Sequence, residues 1–267
     1  MSKTRVNGID LYYEVQGNGD PLLLIAGFAC DHTIWSLVLP ALAARYRVIT
    51  FDNRGLGQSS GTETVISIRQ MADDAAGLLD ALGLGSVHVA GHSMGGLIAQ
   101  ELALTHPRRI QSLLLLSTCA QIDERGKAIT DVWGELPRLV DAATMNRLLL
   151  PWMYTSAFYA KPGSIDRLIE RILANPFPPS AEVISRQCQA LGAFRTSGEL
   201  GTLSCPTSVF VGREDILIPV ALCEQLARSI PHADLVVLEE TGHGMLIESP
   251  RRVADALLGF LDRAGVS

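Results

Sequence analysis

The sequence predicts an α/β fold built on a mostly parallel sheet flanked by helices, and three observations carry that prediction. From about residue 46 to 119, strand-like runs alternate with amphipathic segments of helical period. The alternation resumes near residue 201 and continues to the end. One run, "PLLLIAG", is continuously apolar, as expected of a strand covered on both faces. Repeated strand–helix–strand units imply right-handed crossovers and therefore parallel neighbours.

The elements follow in order. "TRVNG" and "IDLYYEVQG" read as a hairpin turned at Asn7-Gly8. "PLLLIAG" is the third strand. "TIWSLVLPALAARY" has helical spacing at Ile34, Leu37, Val38 and Leu42, with Pro40 expected to kink or divide it. "YRVITFD" is a strand and "SIRQMADDAAGLLDALGL" a helix, its apolar face made by Met71, Ala75, Leu78, Leu79 and Leu82, with Gly83 as C-cap. "SVHVAG", "MGGLIAQELALTHP" and "IQSLLLLST" continue the alternation. Residues 120–200 are different: charged, aromatic, broken by prolines as in "NPFPPS", and without a buried strand. Three or four inserted helices are expected there. "CPTSVFVG", "PVALCEQLARSI", "ADLVVLEE" and "SPRRVADALLGFLDRAG" then complete the pattern. No internal repeat or low-complexity tract is visible.

Bulk properties narrow the function. Of 267 residues, 48% are apolar and 19% charged, ample for a substantial core. A net charge of −6 argues against a general nucleic-acid or anionic-membrane surface and fits a small-molecule partner. "MSKTRVNGID" has no apolar signal-peptide core, and the longest apolar run is too short to span a bilayer, so a cytoplasmic location is expected. Five scattered cysteines, with no C-x-x-C and no H-E-x-x-H, suggest neither a disulfide framework nor a metal site. No G-x-G-x-x-G dinucleotide fingerprint occurs, so no cofactor is expected.

Two G-x-S-x-G pentapeptides compete as nucleophile motifs: Gly91-His92-Ser93-Met94-Gly95 and Gly57-Gln58-Ser59-Ser60-Gly61. Ser93 directly follows a strand and directly precedes a helix, the turn on which a serine stands exposed above a sheet. Gly91 and Gly95 remove Cβ atoms where strand and helix crowd, and the Ser93 backbone is expected to be strained. Ser59 has neither neighbour and reads as a mobile turn. Ser93 is the candidate.

A serine hydroxyl needs a base, and the base needs an orienting acid. His88 reads as a hydrogen-bonded core residue, while His106 and His232 read as solvated. His92, next to Ser93 in a tight turn, is expected to point elsewhere. His32 is a credible pocket residue and a weaker base. His243, in "EETGHGM" after the last strand, stands where a sheet-top base belongs. Glu214 and Asp215 follow the preceding strand, and Asp215 is preferred because it lies further into the loop. Ser93, Asp215 and His243 thus all sit at C-terminal strand ends, where open parallel sheets form their crevice.

With "LLLIAGF", "FDNRGLGQSS", "GHSMGG", "GREDILIP" and "GHGMLIESP" in this order, the chain resembles the α/β-hydrolase fold superfamily over nearly its whole length. It looks most like small bacterial esterases and 3-oxoadipate enol-lactonases, with the meta-cleavage carbon–carbon hydrolases close behind. The resemblance implies an eight-stranded sheet with an antiparallel second strand and a helical cap after strand six. The core would then be 1–119 with 201–267, and the cap 120–200. It also implies that the Ser59 loop is structural and that an oxyanion hole is formed by the backbone N–H groups of Phe28 and Met94. Many relatives carry His-Gly where this chain has Ala26-Gly27. Serine at position 93 argues against the aspartate chemistry of haloalkane dehalogenases and epoxide hydrolases.

The expected activity is hydrolysis of a small-molecule carboxylic ester or lactone. Carbon–carbon hydrolysis with the same residues, or a ligand receptor of little turnover, are the alternatives. Cys30, Cys119, Trp152 and Phe158 are candidate pocket residues, and both monomer and dimer are open.

Overall fold

β1 (Ser2–Val6) and β2 (Ile9–Gln16) pair antiparallel across the Asn7-Gly8 turn. The computed structural model describes residues 2–64, 66–196 and 199–264. The remaining strands are β3 (Pro21–Ile25), β4 (Arg47–Phe51), β5 (Val87–His92), β6 (Ile110–Leu116), β7 (Thr207–Gly212) and β8 (Asp234–Leu238). They join β1 and β2 in an eight-stranded sheet of order β1-β2-β4-β3-β5-β6-β7-β8. β2 runs against both neighbours, and every other pairing from β4 to β8 is parallel.

The apolar runs are explained by burial on both faces. Alternate residues enter separate cores: Leu23, Ile25, Val89, Leu113 and Leu115 on one side, and Leu22, Leu24, Ala90, Leu114 and Leu116 on the other. The first core is closed by α2 (Ile68–Ala81), α3 (Met94–Thr105) and α9 (Val220–Ser229). The second is closed by α1 (Leu39–Ala43) and α11 (Pro250–Ala264). Ser67 caps α2 by accepting from Gln70 N at 3.1 Å, and Gly83 takes a left-handed φ of 64° just past its end. Pro40 divides its segment rather than kinking it: a 3₁₀ turn (His32–Trp35) precedes α1, and Pro40 sits in the first turn of α1, where no N–H is required.

Between β6 and β7 the described residues form five α-helices rather than three or four. They are α4 (Glu124–Leu139), α5 (Ala142–Leu149), α6 (Ser156–Ala160), α7 (Ser164–Leu173) and α8 (Ala181–Ala193). Pro137 does not break α4, because it falls in the last turn. "NPFPPS" forms the link from α7 to α8. α4 and α8 pack together over the C-terminal end of the sheet, with Gly134 of α4 against Cys188 of α8. Among the described residues, no helix is long and apolar enough to cross a membrane.

Candidate active site

Ser93 joins β5 directly to α3 with φ 55° and ψ −119°, a conformation that costs a non-glycine residue energy. The flanking glycines make the turn possible. A Cβ on Gly91 would lie 2.2 Å from the Gly95 carbonyl oxygen, and one on Gly95 would lie 2.2 Å from that of Ile25. Ser93 N–H donates to Leu116 O at 2.8 Å, which fixes the turn to the neighbouring strand end.

The three residues singled out in sequence meet here. Asp215 Oδ2 lies 2.9 Å from His243 Nδ1, and His243 Nε2 lies 3.0 Å from Ser93 Oγ. A carboxylate can only accept, so Nδ1 carries the proton and Nε2 is left to accept from the Ser93 hydroxyl. Asp215 and His243 are buried. Asp215 Oδ1 is held by Leu217 N at 3.0 Å and Ile218 N at 2.8 Å. Glu214 faces solvent, so burial separates two acids that sequence position distinguishes only weakly.

The loop after β3 lies against the serine: a Cβ on Gly27 would be 3.2 Å from Ser93 Cβ. Phe28 and Met94 line one cavity with Ser93. Neither backbone N–H donates to another described group. Met94 is the first residue of α3, so its N–H has no intrahelical partner, and the positive end of the helix faces the same space.

His92 is directed at the loop of His243 rather than at Ser93 Oγ. Its Nε2 donates to the His243 carbonyl oxygen at 2.9 Å, and burial together with the neighbouring His243 pushes its pKa down to about 4. Several placements differ from expectation. Ser59 is not a mobile turn but a buried strut, donating to Asp52 O at 2.7 Å and accepting from Tyr12 N at 2.9 Å. His32 is turned onto the buried Asp52 at 2.7 Å and does not line the cavity. Of the four candidate pocket residues, Cys119 lines the cavity and Cys30, Trp152 and Phe158 do not; Phe158 stacks on Tyr154 within the insertion. Burial pushes the Cys119 thiol up to about 12, which removes it as a rival nucleophile.

Other residues gave no sequence signal. Gln187 of α8 reaches back to accept from Ala29 N at 2.9 Å, tying the insertion to the loop that carries Phe28. Glu248, in the short helix α10 (Met245–Glu248), accepts from Gly242 N at 3.0 Å and from the hydroxyl of Thr155. Gly244 N donates to Met153 O at 2.7 Å. The residues on both sides of His243 are therefore tied to the insertion, Gly244 by Met153 directly and Gly242 through Glu248, which also holds Thr155. Partners this distant in sequence leave no local pattern.

The cavity is narrow, about 50 Å³, and mostly apolar, with Leu97, Ile122, Ile129, Trp133 and Leu191 among its walls. Trp133 stacks on Phe28 with ring centres 6.0 Å apart. Among the described residues, the one group with metal-ligand spacing is Asp31, His32 and Asp52. Its oxygens are committed to protein partners: Asp52 to His32 N and Gln58 N, Asp31 to Thr33 N and Asn175 Nδ2.

A family model for the alpha/beta hydrolase fold matches residues 20–250. The provisionally named carbamate hydrolase RutD of Azorhizobium caulinodans is 32% identical over 251 residues, covering 94% of each chain. An esterase structure from Thermogutta terrifontis superposes with a TM-score of 0.86 at 32% identity, covering 98% of this chain and 97% of the other. The enol-lactonase of Burkholderia xenovorans superposes with a TM-score of 0.88 at 26% identity, covering 98% and 100%. These relatives are hydrolases of one architecture, and this chain belongs to the alpha/beta hydrolase fold family.

Proposed function

We propose that the protein is a serine hydrolase that cleaves a carboxylic ester or lactone through an acyl-enzyme. The observation that carries this reading is the unbroken contact from Asp215 through His243 to Ser93. His243 Nε2 takes the hydroxyl proton as Ser93 Oγ attacks the carbonyl carbon. The oxyanion is received by the N–H groups of Phe28 and Met94, and Asp215 stabilises the imidazolium. The tetrahedral intermediate collapses as His243 returns its proton to the departing alkoxide. Water then repeats the sequence on the acyl-enzyme, giving the acid and restoring Ser93. These steps call for no metal or organic cofactor.

In the same reading, residues 120–200 are a helical cap over a core of 1–119 and 201–267, the substrate is a small molecule, and the enzyme is cytoplasmic. The mostly apolar cavity wall supports an acyl group of carbon. Cleavage of a ring-fission diketone would need a cation to hold its distal carboxylate. The insertion's arginines are engaged elsewhere: Arg147 with Asp166, Arg171 with Ser36, Arg186 with Glu182, and none lines the cavity. A carbamate, the group for which RutD is named, presents the same carbonyl to Ser93 and belongs in the same screen.

The test is turnover of short p-nitrophenyl esters, lactones, carbamates and a ring-fission diketone by the native chain and by Ser93→Ala. The expected result is hydrolysis of esters or lactones, with kcat lowered about 10⁴ to 10⁶-fold in the variant. Ser59→Ala should keep most activity. Binding without turnover of any of these compounds would favour a receptor instead.

A further inference from the structure

The turn that carries Phe28 spans residues 27–30 and is closed by Cys30 N donating to Gly27 O at 3.3 Å. Of its two central residues only Ala29 has a positive φ, 53°, as in a type II turn, where glycine is the residue without strain. A type I turn of the same four residues differs mainly by rotation of the Phe28–Ala29 peptide and would give Ala29 an ordinary negative φ. Local sequence therefore favours the other peptide orientation. Something outside the turn holds the observed one.

Gln187 makes the bond that does so. Its Oε1 accepts from Ala29 N, the N–H of that peptide, at 2.9 Å. Gln187 is fully buried, and the other large side chains that α8 buries, Val183, Ile184 and Leu191, are apolar. Its Nε2 has no hydrogen-bond partner among the described residues. Packing alone would be served better by an apolar side chain of the same length, which leaves no amide hydrogen unpaired. The bond to Ala29 is what a glutamine adds at this position.

The chain before Phe28 is gripped by the core instead. Ala26 O accepts from Asn53 Nδ2 at 3.2 Å, and a Cβ on Gly27 would lie 3.0 Å from His92 O. Phe28 N–H thus lies between a segment fixed by the core and a peptide fixed by the insertion. Leu191, one helical turn beyond Gln187, lines the cavity with Ser93 and Phe28, so one stretch of α8 both walls the site and holds its loop.

We infer that Gln187 is a positioning residue for the oxyanion hole, holding the Phe28–Ala29 peptide in the orientation that keeps Phe28 N–H available to the substrate carbonyl oxygen. This rests on the reading of Ser93 as the nucleophile and Phe28 as a donor. Gln187 does not line the cavity, so its loss should be felt in the transition state rather than in substrate fit.

The experiment measures kcat and KM on p-nitrophenyl butyrate for Gln187→Met, which keeps an unbranched side chain of similar length without the amide acceptor. Gln187→Leu, also without an acceptor, takes its place if the methionine chain does not fold. The expected result is a kcat lowered about 10- to 100-fold, less than the roughly 10²- to 10³-fold cost of deleting a donor outright, with KM changed less than about twofold. Adding Ala29→Gly, which carries the positive φ without strain, should recover about threefold or more of the loss. A packing defect at 187 would not be repaired at 29. A kcat within about threefold of native, or a loss that Ala29→Gly leaves untouched, overturns the assignment. Crystal structures of the native chain and the variant give a readout without turnover: Ala29 should move to negative φ in Gln187→Met. A φ that stays near 53° counts against Gln187 whatever the kinetics, whereas a native chain that cleaves no ester counts against Ser93.

Discussion

His92 donates a hydrogen bond from Nε2 to the backbone carbonyl of His243 across 2.9 Å, so the residue before the candidate nucleophile holds the loop of the candidate base. Its donor cannot reach substrate, so its effect is on position. His92→Phe should lower kcat about 10- to 100-fold, the scale expected when a reacting group is displaced by an ångström, while KM changes less than about twofold. His92→Gln, which retains an N–H donor, should recover part of the loss. Equal activity in the phenylalanine variant and the native chain would show that the brace is idle.

The same histidine and His32 should affect stability with opposite signs. His92 takes a proton at about pH 4 in the folded chain, against ~6.5 when unfolded. The unfolded chain therefore binds more protons between these values, and stability is lost as pH falls through that window. For His32, burial opposes the charge, but the hydrogen bond to Asp52 and the charges of Asp52, Asp31 and Glu14 outweigh it and raise the pKa. Its contribution is fully present below ~6.5 and lost as pH rises through the raised folded value. Urea midpoints measured across pH should thus fall less steeply on the acid side in His92→Gln. They should fall less as pH rises above ~6.5 in His32→Gln. Parallel profiles for all three chains would contradict both assignments.

The strands were legible because Leu22–Ile25 and Leu113–Leu116 are buried on both faces, which leaves uninterrupted apolar runs in the sequence. Ser93 was legible because its glycines perform a local task within five residues. The His92 brace, the Gln187 reach and the Glu248 clamp were not, since each joins segments distant in sequence or turns on a side-chain direction. Ser59 was misread for a related reason: its partners are backbone groups of Asp52 and Tyr12, which no side-chain pattern advertises. The insertion hid its helix count because α5 and α6 are only 8 and 5 residues long, too short to establish a period.

Asp215 and Glu214 are adjacent, yet only Asp215 touches His243. Asp215→Asn should lower kcat on the order of 10²- to 10⁴-fold, because an amide neither stabilises the imidazolium nor fixes the tautomer. Glu214→Gln should change it less than about threefold. Steady-state kinetics on one activated ester decide the matter, and a larger effect at 214 would transfer the role of acid.

The final prediction concerns acyl length. A cavity of about 50 Å³ is well below the roughly 150 Å³ that holds benzene, so long chains have nowhere to go. Trp133 is the largest side chain on its wall, and it lies over Phe28, whose N–H is proposed to bind the oxyanion. Shortening it lengthens the slot along the direction an acyl tail would take. Each methylene accommodated in an apolar pocket is worth about 10-fold or more in kcat/KM. Trp133→Leu should therefore raise the ratio of kcat/KM for p-nitrophenyl hexanoate over acetate by at least about tenfold. Leucine is chosen over alanine because truncating a buried tryptophan to alanine costs about 3–5 kcal/mol and risks the fold. The ratio is also insensitive to a uniform loss of active protein. If the hexanoate-to-acetate ratio stays at its native value, the acyl group does not occupy the space beneath Trp133, and the cavity is not the acyl slot.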